Sequence, residues 1–170
     1  MLSQKLSLVA VLIAAVVVLS IGAYVYKWIA DPHFTAKRSL AGIWQVSGHP
    51  RDYLIFYASP FSKESFEEVN EFPPHEPTIG RPFLVSSTTP YRFTASNTIE
   101  SGRDTFRVVS LDQHKGELTL ERTSENGNPF SYKLNRISRN PMDMPIQVKK
   151  DLIEARRNQA KIRMGQDPDG

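Results

Sequence analysis

The chain has no cysteine. Disulfide bonds and thiolate chemistry, whether nucleophilic or metal-ligating, are therefore excluded. Histidine is scarce: the four are His33, His49, His75 and His114, and no two stand at ligand spacing. A metal centre would have to be assembled from distant segments. The nine glycines are scattered, so there is no Gly-rich phosphate loop and no Gly-x-Ser-x-Gly elbow. An Asn-x-Ser/Thr glycosylation acceptor is also missing. The formal net charge of +3 is too small to call for nucleic acid. Aromatic and basic residues alternate at Tyr91-Arg92-Phe93 and Phe106-Arg107, but acids elsewhere dilute any basic stripe. These gaps point away from an enzyme, a cofactor, a metal and nucleic acid. If there is an active site, the place to look is a cleft joining His49, Asp52 and a carboxylate from 64–76.

What the chain does have is a run of 21 uncharged residues between Lys5 and Lys27. At ~1.5 Å per helical residue it reaches about 31 Å, close to the ~30 Å hydrocarbon core of a bilayer. Leu6, Val11, Val16 and Ile21 mark its length, and Tyr24, Tyr26 and Trp28 supply bulky interfacial residues at its end. A cleavable signal peptide has a shorter apolar region ending in a small-x-small site. A core helix of this length carries charge on one face. The run therefore reads as a retained signal-anchor crossing the bilayer once, over residues 1–29. The flanking charges nearly balance: Lys5 and the amino terminus on one side, Lys27, Lys37 and Arg38 less Asp31 on the other. The short N-terminal tail favours an exported domain, on the periplasmic or extracytoplasmic side of the cell membrane.

Residues 30–39 read as a linker broken by Asp31-Pro32. Residues 40–138 read as a β-domain with strands near Gly42–Ser47, Asp52–Ala58, Phe83–Thr88, Tyr91–Thr98, Thr105–Leu111, Glu117–Thr123 and Phe130–Ile137. Leu118 and Leu120 alternate with Glu117, Thr119 and Glu121. Phe130, Tyr132 and Leu134 alternate with Ser131, Lys133 and Asn135. Period-2 patterns of this kind belong to antiparallel sheet with one wet face. Asn126-Gly127 is a strong hairpin signal, and turns are expected at Asp112–Gly116, Ser101-Gly102 and Thr89-Pro90. Tyr53-Leu54-Ile55-Phe56-Tyr57 is apolar on both faces and demands cover on both, from the C-terminal helix, the 59–81 segment or a partner.

Residues 59–81 form an acidic, proline-rich insertion carrying Glu64, Glu67, Glu68, Glu71 and Glu76, with a short helix expected over Ser62–Asn70. It reads either as a solvated excursion or as an acidic docking loop. Residues 139–170 hold a basic helix, Ile146–Met164, and a tail. Lys149, Lys150, Arg156, Arg157, Lys161 and Arg163 oppose Asp151 and Glu154 there. Such a helix suits anionic headgroups, an acidic partner or a light packing role.

Leu40-Ala41-Gly42-Ile43-Trp44 resembles the Gly-x-Trp that opens the first strand of lipocalin-like (calycin-type) barrels, and the run from Thr105 to Leu134 resembles the closing meander of small bacterial members. The resemblance covers roughly residues 40–138. It implies a barrel closed at one end by Gly42, Trp44 and an arginine from a late strand, here Arg136. It further implies an internal site for a lipid or other apolar ligand, lined by Trp44, Tyr53, Ile55, Phe93, Phe106, Leu118, Leu120, Phe130, Tyr132 and Leu134. Two functions are expected. The first is a non-catalytic accessory or scaffolding subunit of a larger membrane protein assembly, with the lipid bilayer and other membrane-protein subunits as partners. Docking would use Glu64, Glu67, Glu68, Glu71, Lys149, Lys150, Arg156 and Arg157. The alternative is a lipocalin-like binder of an apolar ligand at the membrane surface.

Overall fold

A computed structural model describes residues 2–58, 64–73, 82–124, 127, 129–166 and 168, with side chains from Val9 onwards. The chain divides into two compact units, Met1–Thr35 and Ala36–Gly170. In the first, α1 (Leu2–Ile29) is one continuous helix. Its segment Val9–Ile29 is long and apolar enough to cross a membrane, and it is exposed throughout except at Val25 and Trp28, which are half-buried. After it, the Asp31 carboxylate accepts the His33 N–H at 2.7 Å, and the edge of one ring meets the face of the other between Trp28 and Phe34. The expected linker is thus partly helical: α2 spans Phe34–Leu40.

The second unit is a curled, antiparallel, nine-stranded half-barrel with a C-terminal helix. Its strands are β1 (Gly42–Val46), β2 (Tyr53–Tyr57), β3 (Ser65–Phe72), β4 (Phe83–Pro90), β5 (Arg92–Ala95), β6 (Thr98–Ser101), β7 (Asp104–Asp112), β8 (Glu117–Thr123) and β9 (Pro129–Ser138). They lie in the order β4-β3-β2-β1-β9-β8-β7-β6-β5, so β1 and β9 pair at the centre while β4 and β5 form the two edges. The mainly-β expectation therefore holds, with nine strands where about seven were expected. One addition comes from the acidic insertion. Ser65–Asn70 is not helical but runs in β3, where Phe66 and Val69 are buried on opposite faces. Residues 59–63 and 74–81, including Ser62 and Glu76, lie outside the described residues. The other addition comes from the expected strand Tyr91–Thr98, which is folded at Ser96-Asn97 into β5 and β6. Thr89-Pro90 does not turn back. β4 runs through it, and the Tyr91 N–H reaches the Glu64 carbonyl as the chain crosses to the opposite edge.

Alternation puts two cores on the two faces of the sheet. The concave face carries Trp44, Leu54, Phe56, Phe66, Tyr91, Phe93, Ile99, Phe106, Leu118, Leu120 and Leu134. The convex face carries Ile43, Tyr53, Ile55, Val69 and Leu84, covered by Val148, Leu152 and Ala155 of α3 (Ile146–Arg163). The doubly apolar β2 thus has its second cover in the C-terminal helix. Tyr53 and Ile55, expected inside, point out towards α3. The remaining expected lining residues on the concave face are packed against one another, except Phe130, which is 60% exposed at the sheet's rim.

Gly42 begins β1 where the pairing with β9 slips between Ile43 and Trp44. Its φ is +136°, and a Cβ there would collide with the Ser138 carbonyl oxygen. Only glycine fits such a position without strain. Gly42→Ala is expected to destabilise the domain by about 2–3 kcal/mol, through a strained backbone and an overpacked strand pair. Urea titration followed by circular dichroism in detergent measures it.

Candidate functional site

Three polar clusters and one helix face could carry function. The first lies where the sheet receives the chain from α2. The Trp44 indole is fully buried, and its Nε1–H donates to the Leu40 carbonyl at 2.8 Å. The Arg136 guanidinium sits 4.2 Å above the ring centre, and its Nη2 donates to the Ser39 carbonyl at 2.5 Å. Among the described residues, its Nε has no hydrogen-bond acceptor. Burial, aided by Arg139, lowers the Arg136 pKa. The π-face of Trp44 therefore supplies part of the support this cation lacks. Alongside, Lys37 Nζ holds the Glu64 carboxylate at 2.5 Å.

The second cluster lies within the concave face, near the opposite ends of the strands. Arg122 donates to Asp104 Oδ2 from Nε (3.1 Å) and Nη2 (2.6 Å). Its Nη1 reaches Glu68 Oε1 and the Tyr132 hydroxyl, both at 3.3 Å. Burial works against the charge, but Tyr132, Asp104 and Glu68 outweigh it and raise the Arg122 pKa. One arginine here joins β3 to β7, β8 and β9 across the concavity. Beyond it, Phe130 packs edge-on to Tyr132.

The third cluster fixes α3 on the convex face. Glu67 is 1% exposed, and both its oxygens are gripped by Arg156, at 2.8 and 2.6 Å from Nε and Nη2. The Tyr57 hydroxyl adds a third bond at 3.2 Å. A turn away, the buried Asp151 accepts the Tyr53 hydroxyl at 2.8 Å and Arg51 Nη2 at 3.2 Å. Arg51 also holds Glu154 at 2.8 Å and Glu71 at 3.0 Å. Asn158 donates to the Leu84 carbonyl at 2.9 Å.

Most of the expected docking residues are engaged within the chain. Glu64, Glu67, Glu68 and Glu71 are each paired with a cation of their own chain. Arg156 is likewise spent on Glu67. Lys149, Lys150 and Arg157 remain on the exposed side of α3. His49 and Asp52 do come together, with Nδ1 and Oδ2 3.4 Å apart. Asp52 uses its other oxygen to accept the Glu71 N–H at 2.7 Å, so the pair braces the β1–β2 turn against β3. Among the described residues, no group of three histidine, aspartate or glutamate side chains is placed to hold a metal ion. A shallow depression beside the β7–β8 turn is lined by Leu111, Asp112, Gln113, His114 and Glu117. Arg122 and Arg51 were missed as hubs, because their carboxylate partners lie far away in sequence.

The tyrosines beneath these clusters have raised pKa values. Burial, followed by the Glu67 charge, pushes Tyr57 up to about 12. Burial and Asp151 raise Tyr53, and burial and Glu64 raise Tyr91. In the unfolded chain a tyrosine ionises near 10. Above pH ~10 the folded state therefore holds more protons than the unfolded one, so stability declines as pH rises through the folded values. Unfolding midpoints should fall between pH ~10 and 12. Tyr57→Phe should make that fall shallower, as urea titrations across this range would show.

Comparison with protein families, with curated proteins and with solved structures finds no match.

Proposed function

We propose that this chain is a membrane-anchored, non-catalytic accessory subunit. It holds its β-domain on the extracytoplasmic face and docks it on another protein of the same membrane. The observation that carries this reading is the pairing of α1, apolar on every side, with a domain that follows after only a short connection. A further support is how the domain spends its charge. Arg51, Arg122 and Arg156 each bridge separate segments instead of lining an open cleft.

The docking surface this reading favours is the rim formed by the end of β3 and the start of β9. By strand register this is the end away from Gly42, where the chain enters the sheet. Phe72 and Phe130 stand there 45% and 60% exposed. Aromatic side chains left in water at a rim are typical anchors of protein interfaces.

Purification from native membranes in mild detergent, with a photo-crosslinking residue at position 130, tests the reading. A discrete co-purifying membrane protein, crosslinked at 130, is expected. Phe130→Glu should weaken that association by a factor of about 30, the weight of an interface hot spot. A lone, uncrosslinked monomer would overturn the proposal. Protease accessibility in intact cells tests the side of the membrane.

A further inference from the structure

The outward face of α3 is used by none of the clusters above. We infer that it lies on an anionic lipid surface. The helix turns Val148, Asp151, Leu152, Ala155 and Asn158 towards the sheet. At 100° per residue, Ile146, Lys150, Ile153, Arg157 and Met164 fall together on the opposite side, with Lys149 beside them. Ile146, Ile153 and Met164 are 75%, 53% and 65% exposed, and all three cations are exposed as well.

The acids of the helix show that this separation is built. Asp151 and Glu154 are its only two carboxylates, and Arg51 pairs with both. The acids are thereby drawn towards the sheet, and the outward face is left cationic and apolar. An acidic protein surface would satisfy the lysines and leave the isoleucines wet. A headgroup layer satisfies both, with phosphates for Lys149, Lys150 and Arg157 and the glycerol region for Ile146, Ile153 and Met164.

Chain length favours the same occupant. Only residues 30–35 separate the end of α1 from the unit that begins at Ala36. Fully extended, six residues span about 20 Å. A unit of this size has a radius of gyration of roughly 14 Å. If α1 spans the bilayer, the domain cannot leave the surface, and its best-matched face meets lipid at a high effective concentration. Three cations at an anionic surface raise occupancy roughly a hundredfold. The inference rests on the anchor part of the proposed function and is independent of any protein partner.

Because the chain has no cysteine, single labels can be placed at will in the full-length protein. Ile153→Cys carrying a bimane is reconstituted in phosphatidylcholine vesicles with or without phosphatidylglycerol, together with a lipid bearing a shallow nitroxide. Quenching is expected to be several-fold stronger with phosphatidylglycerol. It should be lost when Lys149→Glu, Lys150→Glu and Arg157→Glu are added. A label at Met164→Cys should behave like that at 153, and one at Ser96→Cys, on the β5–β6 turn, should stay unquenched. A label at Val16→Cys, read with a deep nitroxide, reports the anchor separately and should be quenched in both lipids. Quenching at 16 without quenching at 153 and 164 overturns the inference and leaves the anchor standing. Quenching at 153 that ignores lipid charge, or that persists in the triple variant, overturns it too. No quenching at 16 overturns both.

Discussion

Trp44→Ala is expected to destabilise the β-domain by about 4 kcal/mol, within the range for truncating a fully buried tryptophan. The indole is covered on every side, and its loss opens a cavity beneath the centre of the sheet, where β1 pairs with both β2 and β9. Two further losses follow. The Leu40 carbonyl loses its donor, and Arg136 loses the ring beneath its guanidinium. Trp44→Phe separates these effects. It keeps most of the apolar volume and gives up the hydrogen bond, so about 1–2 kcal/mol is expected. Arg136→Lys replaces a flat, stacked cation with a compact, strongly hydrated one and should also destabilise. Urea titration by far-ultraviolet circular dichroism measures all three. A Trp44→Ala loss below about 1 kcal/mol would show that the ring does not organise this end of the sheet.

Arg156→Ala is expected to cost about 3 kcal/mol, although most of the arginine side chain faces solvent. The reason lies on the other side of the pair. Glu67 is 1% exposed, so removing its cation strands a carboxylate between sheet and helix with, among the described residues, only the Tyr57 hydroxyl to serve it. A double variant, Glu67→Leu with Arg156→Leu, should recover much of that loss, because well-packed apolar residues replace a buried ion pair at little cost. If the double variant is as unstable as the single one, lost packing is the cause, and not the isolated charge.

The sequence made some of this architecture plain and concealed other parts for identifiable reasons. β8 and β9 were legible because Leu118, Leu120 and Leu134 alternate with charged or polar residues on a single wet face. β2 was legible as a strand needing two covers, because five apolar residues in a row leave no wet side. β3 was not. Ser-Phe-Glu-Glu-Val-Asn-Glu-Phe places a carboxylate on each face, and acids ordinarily report solvent. Here Glu67 is neutralised by an arginine 89 residues further on and Glu68 by one 54 residues further on. No local pattern can announce a pairing over that distance. The division of β5 from β6 was hidden in a similar way, since Ala-Ser-Asn-Thr carries neither glycine nor proline to mark the turn. Of the expected docking residues, the four acids are each paired within the chain, while Lys149, Lys150 and Arg157 lie on the outside of α3.

The docking of α3 across β2 also sets an order of events during synthesis. Tyr53 leaves the ribosome 98 residues before Asp151, the residue its hydroxyl will bind. At ~5–20 residues per second the outer side of Tyr-Leu-Ile-Phe-Tyr waits about 5–20 s for its cover. An uncharged, β-prone segment left bare for so long invites aggregation. Nascent chains stalled before residue 146 should therefore bind holdase chaperones through this strand, and release them once α3 has emerged.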